Sequence, residues 1–434
     1  MPTDSAFDLI FRRARLADRP DPFDIGVRAG RIEAIAPRLI ADCPSVDIAG
    51  RAVLPGFVDS HVHLDKACLL GRCGHVHGGL KNAIAAVAAM KRDFTAEDVY
   101  QRGAQVLDMA IAKGTTRMRT HVEVDPRAGL RSFEAITTLK RDYAWGLDVS
   151  LCVFPQEGLT NDPGTEELLV EALRQGADAL GGCPYTDSDP ETQISRLFDL
   201  AERFDVDLDF HLDFDLDPSW MHLDAVCRET AARRLGGRVA IGHVTKLSML
   251  PPDAFSRVAE KLARTGVAVT VLPATDLYLM GRDATHAVPR GLAPVHRLVA
   301  AGVTCSVATN NVLNPFTPFG DASLLRMANL YANAAQVGPD GFATCIDLVT
   351  GLPARLMNLS DYGIAVGNPA DLVVLDAASA TDALAAIAEP VLGFKAGRQS
   401  FSRPAARLHA PDVDSGFEAD PIVIASAAKQ SRRA

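Results

Sequence analysis

The chain has 434 residues, 48% hydrophobic and 23% charged, a globular composition that excludes a disordered, collagen-like or fibrous protein. That length allows one large domain with an appendage, or two to three domains. Lysine and arginine number 44 against 54 aspartates and glutamates, and the formal net charge of −10 argues against a nucleic-acid partner held by a generally basic surface. No apolar run approaches the roughly 18 residues of a membrane-spanning helix. The start MPTDSAFDLIFRR lacks a charged-then-apolar leader, and the eight cysteines include no C-x-x-C pair, so a cytoplasmic protein with reduced thiols is expected.

Residues 7–50 read as short strands, FDLIFRRARL and FDIGVRAGRIEAIAP, with Gly30 at a turn between alternating runs. The centre then alternates regularly. Apolar runs occur at 52–64, 116–124, 148–156, 179–185, 206–214, 239–245, 267–276 and 303–311, with helical periodicity at 96–114, 165–176 and 252–266. Gly114, Gly176, Gly266 and Gly302 each precede a strand and suit helix C-termini. Eight strand–helix repeats over this length predict an α/β fold of the (β/α)8 TIM-barrel type. A doubly wound sheet competes, but no G-x-G-x-x-G follows the first strand. GIAVGNPADLVVLDA (363–377) and PVLGFKAGRQ (390–399) repeat the texture of the N-terminus. The expected organisation is a small β-sandwich built from both chain ends, 1–53 plus 360–420, around a barrel at 54–359, with a frayed tail at 421–434.

Barrel chemistry collects at the C-terminal ends of the strands. His61 and His63 end the first strand, two apart and so on one face, which suits two nitrogen ligands to one divalent metal. His211 ends the fifth strand and is the natural third ligand. His243 ends the sixth and can hold a second metal or act as electrophile or proton shuttle. His121 ends the second strand, where a hydrogen-bonding role and a site role are equally open. Four histidines converging on one barrel mouth are hard to explain as structural filler. The cysteines read as buried small hydrophobes, and the lack of C-x-x-C excludes the zinc deaminases that need it.

LPGFVDSHVHLDKA (54–67), FPQEG (154–158), GHVTKLS (242–248), NNVLNPFTPFGDAS (310–323) and the GNPADLVVL close together resemble the amidohydrolase superfamily, in its cytosine deaminase-like branch, which also takes in N-isopropylammelide isopropylamidohydrolase. The resemblance covers nearly the whole chain. It implies a metal-dependent hydrolase that activates water against a C–N bond in a small, cyclic nitrogen compound. One divalent ion (zinc, iron or manganese) would be held by His61, His63 and His211. His243 would contact the attacking hydroxide or the substrate. Gln156 would bind the ring's amide edge, with Lys66 and Asn311 also at the substrate. The lack of lysine in ALGGCPY argues against a dinuclear centre with a carboxylated lysine.

Two positions depart from the branch. Asn310 stands where it places an aspartate that binds metal and accepts a proton, and Phe214 where it places a proton-shuttling glutamate. Asparagine offers a carbonyl oxygen to a metal but takes no proton from water. Asp213, Asp215 and Asp276 are the candidate replacement bases; capping or loop-amide binding is their alternative role. The expected function is therefore deamination, or else hydrolysis of a cyclic or exocyclic amide. A non-catalytic ligand-binding relative that lost its metal is a third reading. A small-molecule substrate and a possible homo-oligomer are expected, with no nucleic acid and no membrane.

Overall fold

The computed structural model describes residues 6–73 apart from 18 and 20, residues 79–404, and residue 406. His75, His77, His409 and the expected frayed tail at 421–434 lie outside the described residues, as do 407–420 of the expected small domain. In chain order the described strands are β1 (Leu9–Ala14), β2 (Phe23–Arg28), β3 (Arg31–Ala36), β4 (Ser45–Asp47), β5 (Ala52–Pro55), β6 (Phe57–Val62), β7 (Thr115–Glu123) and β8 (Asp148–Phe154). They continue with β9 (Ala179–Gly182), β10 (Asp207–Leu212), β11 (Val239–His243), β12 (Val267–Val271), β13 (Cys305–Val307), β14 (Leu372–Leu375), β15 (Pro390–Lys395) and β16 (Arg398–Ser402).

Strands β6 to β13 form one eight-stranded sheet in sequence order, and every pairing in it is parallel. Helices such as Ala96–Ala112, Pro190–Phe204 and Pro252–Thr265 cover its outside, each burying an apolar stripe. Thr95 and Asp189 cap the first two by accepting the backbone N–H of Asp98 and Thr192. The barrel closes at a bridge between Val62 and Asn310. There the Asn310 N–H donates to the His61 carbonyl at 2.8 Å, and the His63 N–H donates to the Asn310 carbonyl at 2.8 Å. At the other end Val58, Ala240 and Ala268 pack on Ala354, Leu356 and Met357 from the segment after β13. The interior is thus filled, as a barrel of this size requires.

Two four-stranded sheets lie outside the barrel, ordered β3-β2-β1-β4 and β16-β15-β14-β5. They draw on both chain ends, and Phe11, Ile25 and Ile32 share one apolar cluster with Val53, Leu372 and Phe394. The apolar run expected at 52–64 is two strands. β5 pairs with β14, and after Gly56 the chain turns into barrel strand β6. Gly56 is needed at that turn, because a Cβ there would lie 2.2 Å from Thr116 Cγ2. No described helix is long and apolar enough to cross a membrane.

Phe394 is 1% exposed and meets Phe11 edge-on, with ring centroids 4.6 Å apart. Phe394→Ala is expected to cost about 3–5 kcal/mol, read as a lower urea midpoint for loss of the small sheets.

Candidate active site

The expected strand-end residues converge. His61 lies in β6 and His63 is the first residue beyond it. The Nε2 atoms of His61 and His63 lie 3.1 and 3.0 Å from His211 Nε2. These three rings, with His121 and His243, form a buried imidazole cluster at the barrel mouth. Burial, the largest cause, holds His61 down to about 3, with neighbouring His121 adding to it. Burial also lowers His63, His211 and His243 well below the usual imidazole range. All four are therefore neutral near pH 7, the state in which imidazole binds metal.

The ring orientations have identifiable supports. His63 Nδ1 lies 3.2 Å from the His121 carbonyl. Asp209, two residues before His211 on β10, lies with one carboxylate oxygen 3.8 Å from His61 Nδ1 and 3.6 Å from His121 Nε2. Its other oxygen accepts from Arg119 at 3.1 Å. Burial opposes ionisation of Asp209, yet His121, His61 and Arg119 hold its carboxyl well below the usual range. Alternation on VDLDFHLDF places Asp209 on the face of His211, so the period of two was a usable signal for it.

Asn310 is 1% exposed, and neither side-chain atom has a hydrogen-bond partner. A buried amide without partners is costly, and it fits a position whose carbonyl serves an absent ligand. His243, the last residue of β11, and Asp213 and Asn310, just beyond β10 and β13, all adopt left-handed backbone (φ 69°, 49° and 58°). Such strain at non-glycine residues gathers at functional sites.

The three candidate bases separate. Asp276 lies in the first turn of the short helix Pro273–Leu279 rather than at the end of a strand, and its Oδ1 is 2.7 Å from His243 Nδ1. Its Oδ2 accepts the Leu272 N–H at 3.1 Å. Burial raises Asp276 and lowers His243, so each group favours its own uncharged form over an ion pair. Asp213 instead accepts the backbone N–H groups of His222 and Leu223 at 2.9 and 3.0 Å, the loop-amide alternative. Asp215 is half exposed and pairs with Lys246 at 3.2 Å.

Lys66 and Gln156 meet as expected, with Lys66 Nζ donating to Gln156 Oε1 at 3.1 Å and to Glu123 Oε1 at 2.6 Å. Asn311 spends its Oδ1 on Asn314 Nδ2 at 2.7 Å, inside its own loop. Five of the cysteines are buried, whereas Cys43, Cys68 and Cys73 are half-buried, and Cys183 accepts from Gln156 Nε2 at 3.3 Å. Aromatic faces line the site: Phe154 stacks on His211 and Phe214 stacks on His243, with centroids 4.6 and 3.7 Å apart. A cavity of about 570 Å³ beside Phe214 is bounded by 79–81, 214–216, 279–284 and Pro289.

Sequence reasoning missed a second buried group. Lys91 bonds Glu123 Oε2 at 3.0 Å and closely contacts Asp125 and Glu157, so three carboxylates surround one ammonium. Nothing local marks Lys91, which arrives from a short turn after the helix Leu80–Met90. Burial raises Glu157 to about 7, with Glu123 beside it adding to the effect. An unfolded glutamate titrates near about 4.3. A raised folded pKa contributes stability that is full below the unfolded value and lost as pH rises through the folded one. Relative to Glu157→Gln, the parent protein is therefore expected to lose stability as pH rises from about 4.3 to about 7, read as the difference between the two urea midpoints across that range.

A model of the Amidohydrolase family matches residues 144–401. The chain is 29% identical over 364 residues to a pterin deaminase of Rhizobium rhizogenes, covering 82% of each protein. It is 27% identical over 412 residues to the N-isopropylammelide isopropyl amidohydrolase of a Pseudomonas species, covering 90% of this chain and 96% of that one. The fold superposes on 5-methylcytosine deaminase from Klebsiella pneumoniae, liganded with 5-fluorocytosine, with a TM-score of 0.88 at 28% identity over 93% of this chain and 99% of that one. It superposes on N-isopropylammelide isopropylaminohydrolase from Burkholderia multivorans with a TM-score of 0.79 at 30% identity, covering 90% and 97%. These relatives are deaminases and amidohydrolases, hydrolases of C–N bonds. With a (β/α)8 barrel, a histidine cluster at its mouth and this span of likeness, the chain belongs to the Amidohydrolase family.

Proposed function

We propose that this protein hydrolyses a C–N bond of a planar nitrogen heterocycle, releasing ammonia or an amine, with one divalent metal held by His61, His63 and His211. The observation that carries the reading is the convergence of three buried, neutral imidazoles through their Nε2 atoms. The partnerless Asn310 amide fits a fourth, neutral oxygen donor. In such a site a divalent metal supplies Lewis-acid polarisation and water activated at neutral pH.

The chain's own residues account for the rest. Phe214 and Asn310 accept no proton, so proton transfer falls to His243, whose Nδ1 is held by Asp276 and whose Nε2 is left to exchange with the reacting centre. Asp276 acts through His243 and is a positioning residue. Lys66 and Gln156 orient the ring by its polar edge, and Phe154 and Phe214 supply flat apolar walls that exclude water. The likeness to deaminases of pterin and 5-methylcytosine, and to enzymes acting on N-isopropylammelide, supports a ring of that shape.

Protein grown with zinc, iron or manganese is expected to retain close to one metal equivalent, and to release ammonia or an amine from a member of a pyrimidine, pterin and triazine panel. His211→Ala is expected to abolish both. Phe214 stacked on His243 favours a second, non-catalytic reading, in which the ring has replaced a proton carrier. Metal below about a tenth of an equivalent, with no product from the panel, would select that reading. Ring opening without amine release would instead place the reaction among cyclic amide hydrolyses.

Asp276→Asn keeps the shape of the pair but removes the carboxylate. It is expected to lower kcat by about 10²–10⁴-fold with little change in KM, measured as initial rates of amine release.

A further inference from the structure

His243 ends β11, and the two residues that follow Val244 both reach across to the loop 213–222 that leaves β10. The Thr245 hydroxyl lies 2.7 Å from the Asp215 carbonyl oxygen and 3.2 Å from that of Asp213, so the backbone is gripped on both sides of Phe214. Lys246 occupies the hub of the same loop. It is fully buried, its Nζ donating to the Trp220 carbonyl at 3.0 Å and pairing with Asp215 Oδ2 at 3.2 Å. The indole of Trp220, itself 49% exposed, covers the ammonium, with the ring centroid 3.2 Å from Nζ. Asp213 closes the loop by accepting the His222 and Leu223 N–H groups. Burying an ammonium is costly, and a loop that needs only stability is served as well by an apolar side chain. What a lysine adds is direction, through donors aimed at a fixed carbonyl and a fixed carboxylate.

We propose that Thr245 and Lys246 are positioning residues that hold Phe214 flat against His243 and so fix the imidazole for proton transfer. The inference rests on the heterocycle-hydrolase reading for the role of His243. The ring of Phe214 lies 3.7 Å from that of His243 at an interplanar angle of 17°, and His243 Nδ1 faces Asp276 Oδ1 at 2.7 Å. One edge and one face of the imidazole are thereby held. The single hydrogen bond to Asp276 leaves the ring free to swing about it, and stacking on Phe214 stops that swing only if Phe214 is itself fixed. Its apolar neighbours Leu279, Met280 and Phe316 enclose it without setting its direction, because hydrophobic contact is non-directional. Direction comes from the peptide groups on either side, which Thr245 grips, and from Lys246, which ties Asp215 to the far end of the loop at Trp220. The left-handed backbone of Asp213 (φ 49°) adds to the need, since a strained turn relaxes unless its surroundings over-determine it.

Lys246→Met, which fills the space without a donor, tests this in the metal-loaded full chain. Backbone hydrogen exchange over 214–222 is expected to quicken several-fold while the barrel strands keep their protection. The kcat for amine release is expected to fall about 10²-fold with KM little changed, because the substrate's own contacts are untouched. Lys246→Arg retains a cation with donors and is expected to restore part of that loss. Thr245→Val removes one hydroxyl and is expected to lower kcat by about fivefold to tenfold, so it carries the test if Lys246→Met does not fold. An unchanged kcat in a folded Lys246→Met or in Thr245→Val, a rise in KM in place of the fall in kcat, or no gain in Lys246→Arg over Lys246→Met would overturn the inference. Amine release by no form of the protein, the parent included, would sink the hydrolase reading, and the hold on Phe214 would then stand or fall on hydrogen exchange in the loop.

Discussion

The barrel is closed by two backbone hydrogen bonds, Asn310 N–H to the His61 carbonyl and His63 N–H to the Asn310 carbonyl. The same three residues carry side chains of the candidate centre, so closing the sheet and assembling the site are one event. Asp59 reinforces this seam, with Oδ1 accepting the Thr309 N–H at 3.2 Å and Oδ2 closely contacting the Thr309 hydroxyl. His61, His63 and Asn310 are rigidly placed, because shifting any of them would disturb the seam. Left-handed backbone also marks His243, the last residue of β11, and Asn310, three residues beyond β13.

Burying so many polar groups demands local charge balance, and the molecule meets it in two separate systems. Beneath the histidines, Asp209 pairs with Arg119 and lies within 3.8 Å of His61 and His121. To one side, Lys66 and Lys91 alternate with Glu123, Asp125 and Glu157. The first system can orient a metal's ligands, and the second stiffens the groups that would read a substrate. Breaking either by removing one partner would leave a charge buried without compensation, which costs more than the intact pair contributes. The net charge of −10 is therefore partly internal.

How much was legible depended on the range of the signal. Period-two alternation and strand-end position brought out His61, His63, His211 and His243, because a strand converts sequence spacing directly into a shared face. The same rule would have reached Asp209 and Glu123, two residues from His211 and His121. It could not separate the three aspartates. Asp213 and Asp276 both follow barrel strands, and only the path of the next few residues turned one toward loop amides and the other toward His243. The split of 52–64 into two strands was hidden for a related reason: AVLP and FVDSHV are equally apolar, and the change of sheet is marked only by Gly56.

The sequence by itself determined the repeating strand–helix architecture, the pairing of both chain ends in small sheets, and the residue types that gather at the barrel mouth. These follow from local periodicity and from chemistry that a single residue carries. Only the tertiary structure decided which groups touch: Lys91 with Glu123, Asp276 with His243, and the Gln156 amide turned by Lys66. Such contacts join residues 32 to 90 positions apart, where neither spacing nor propensity constrains direction and only the closed barrel does.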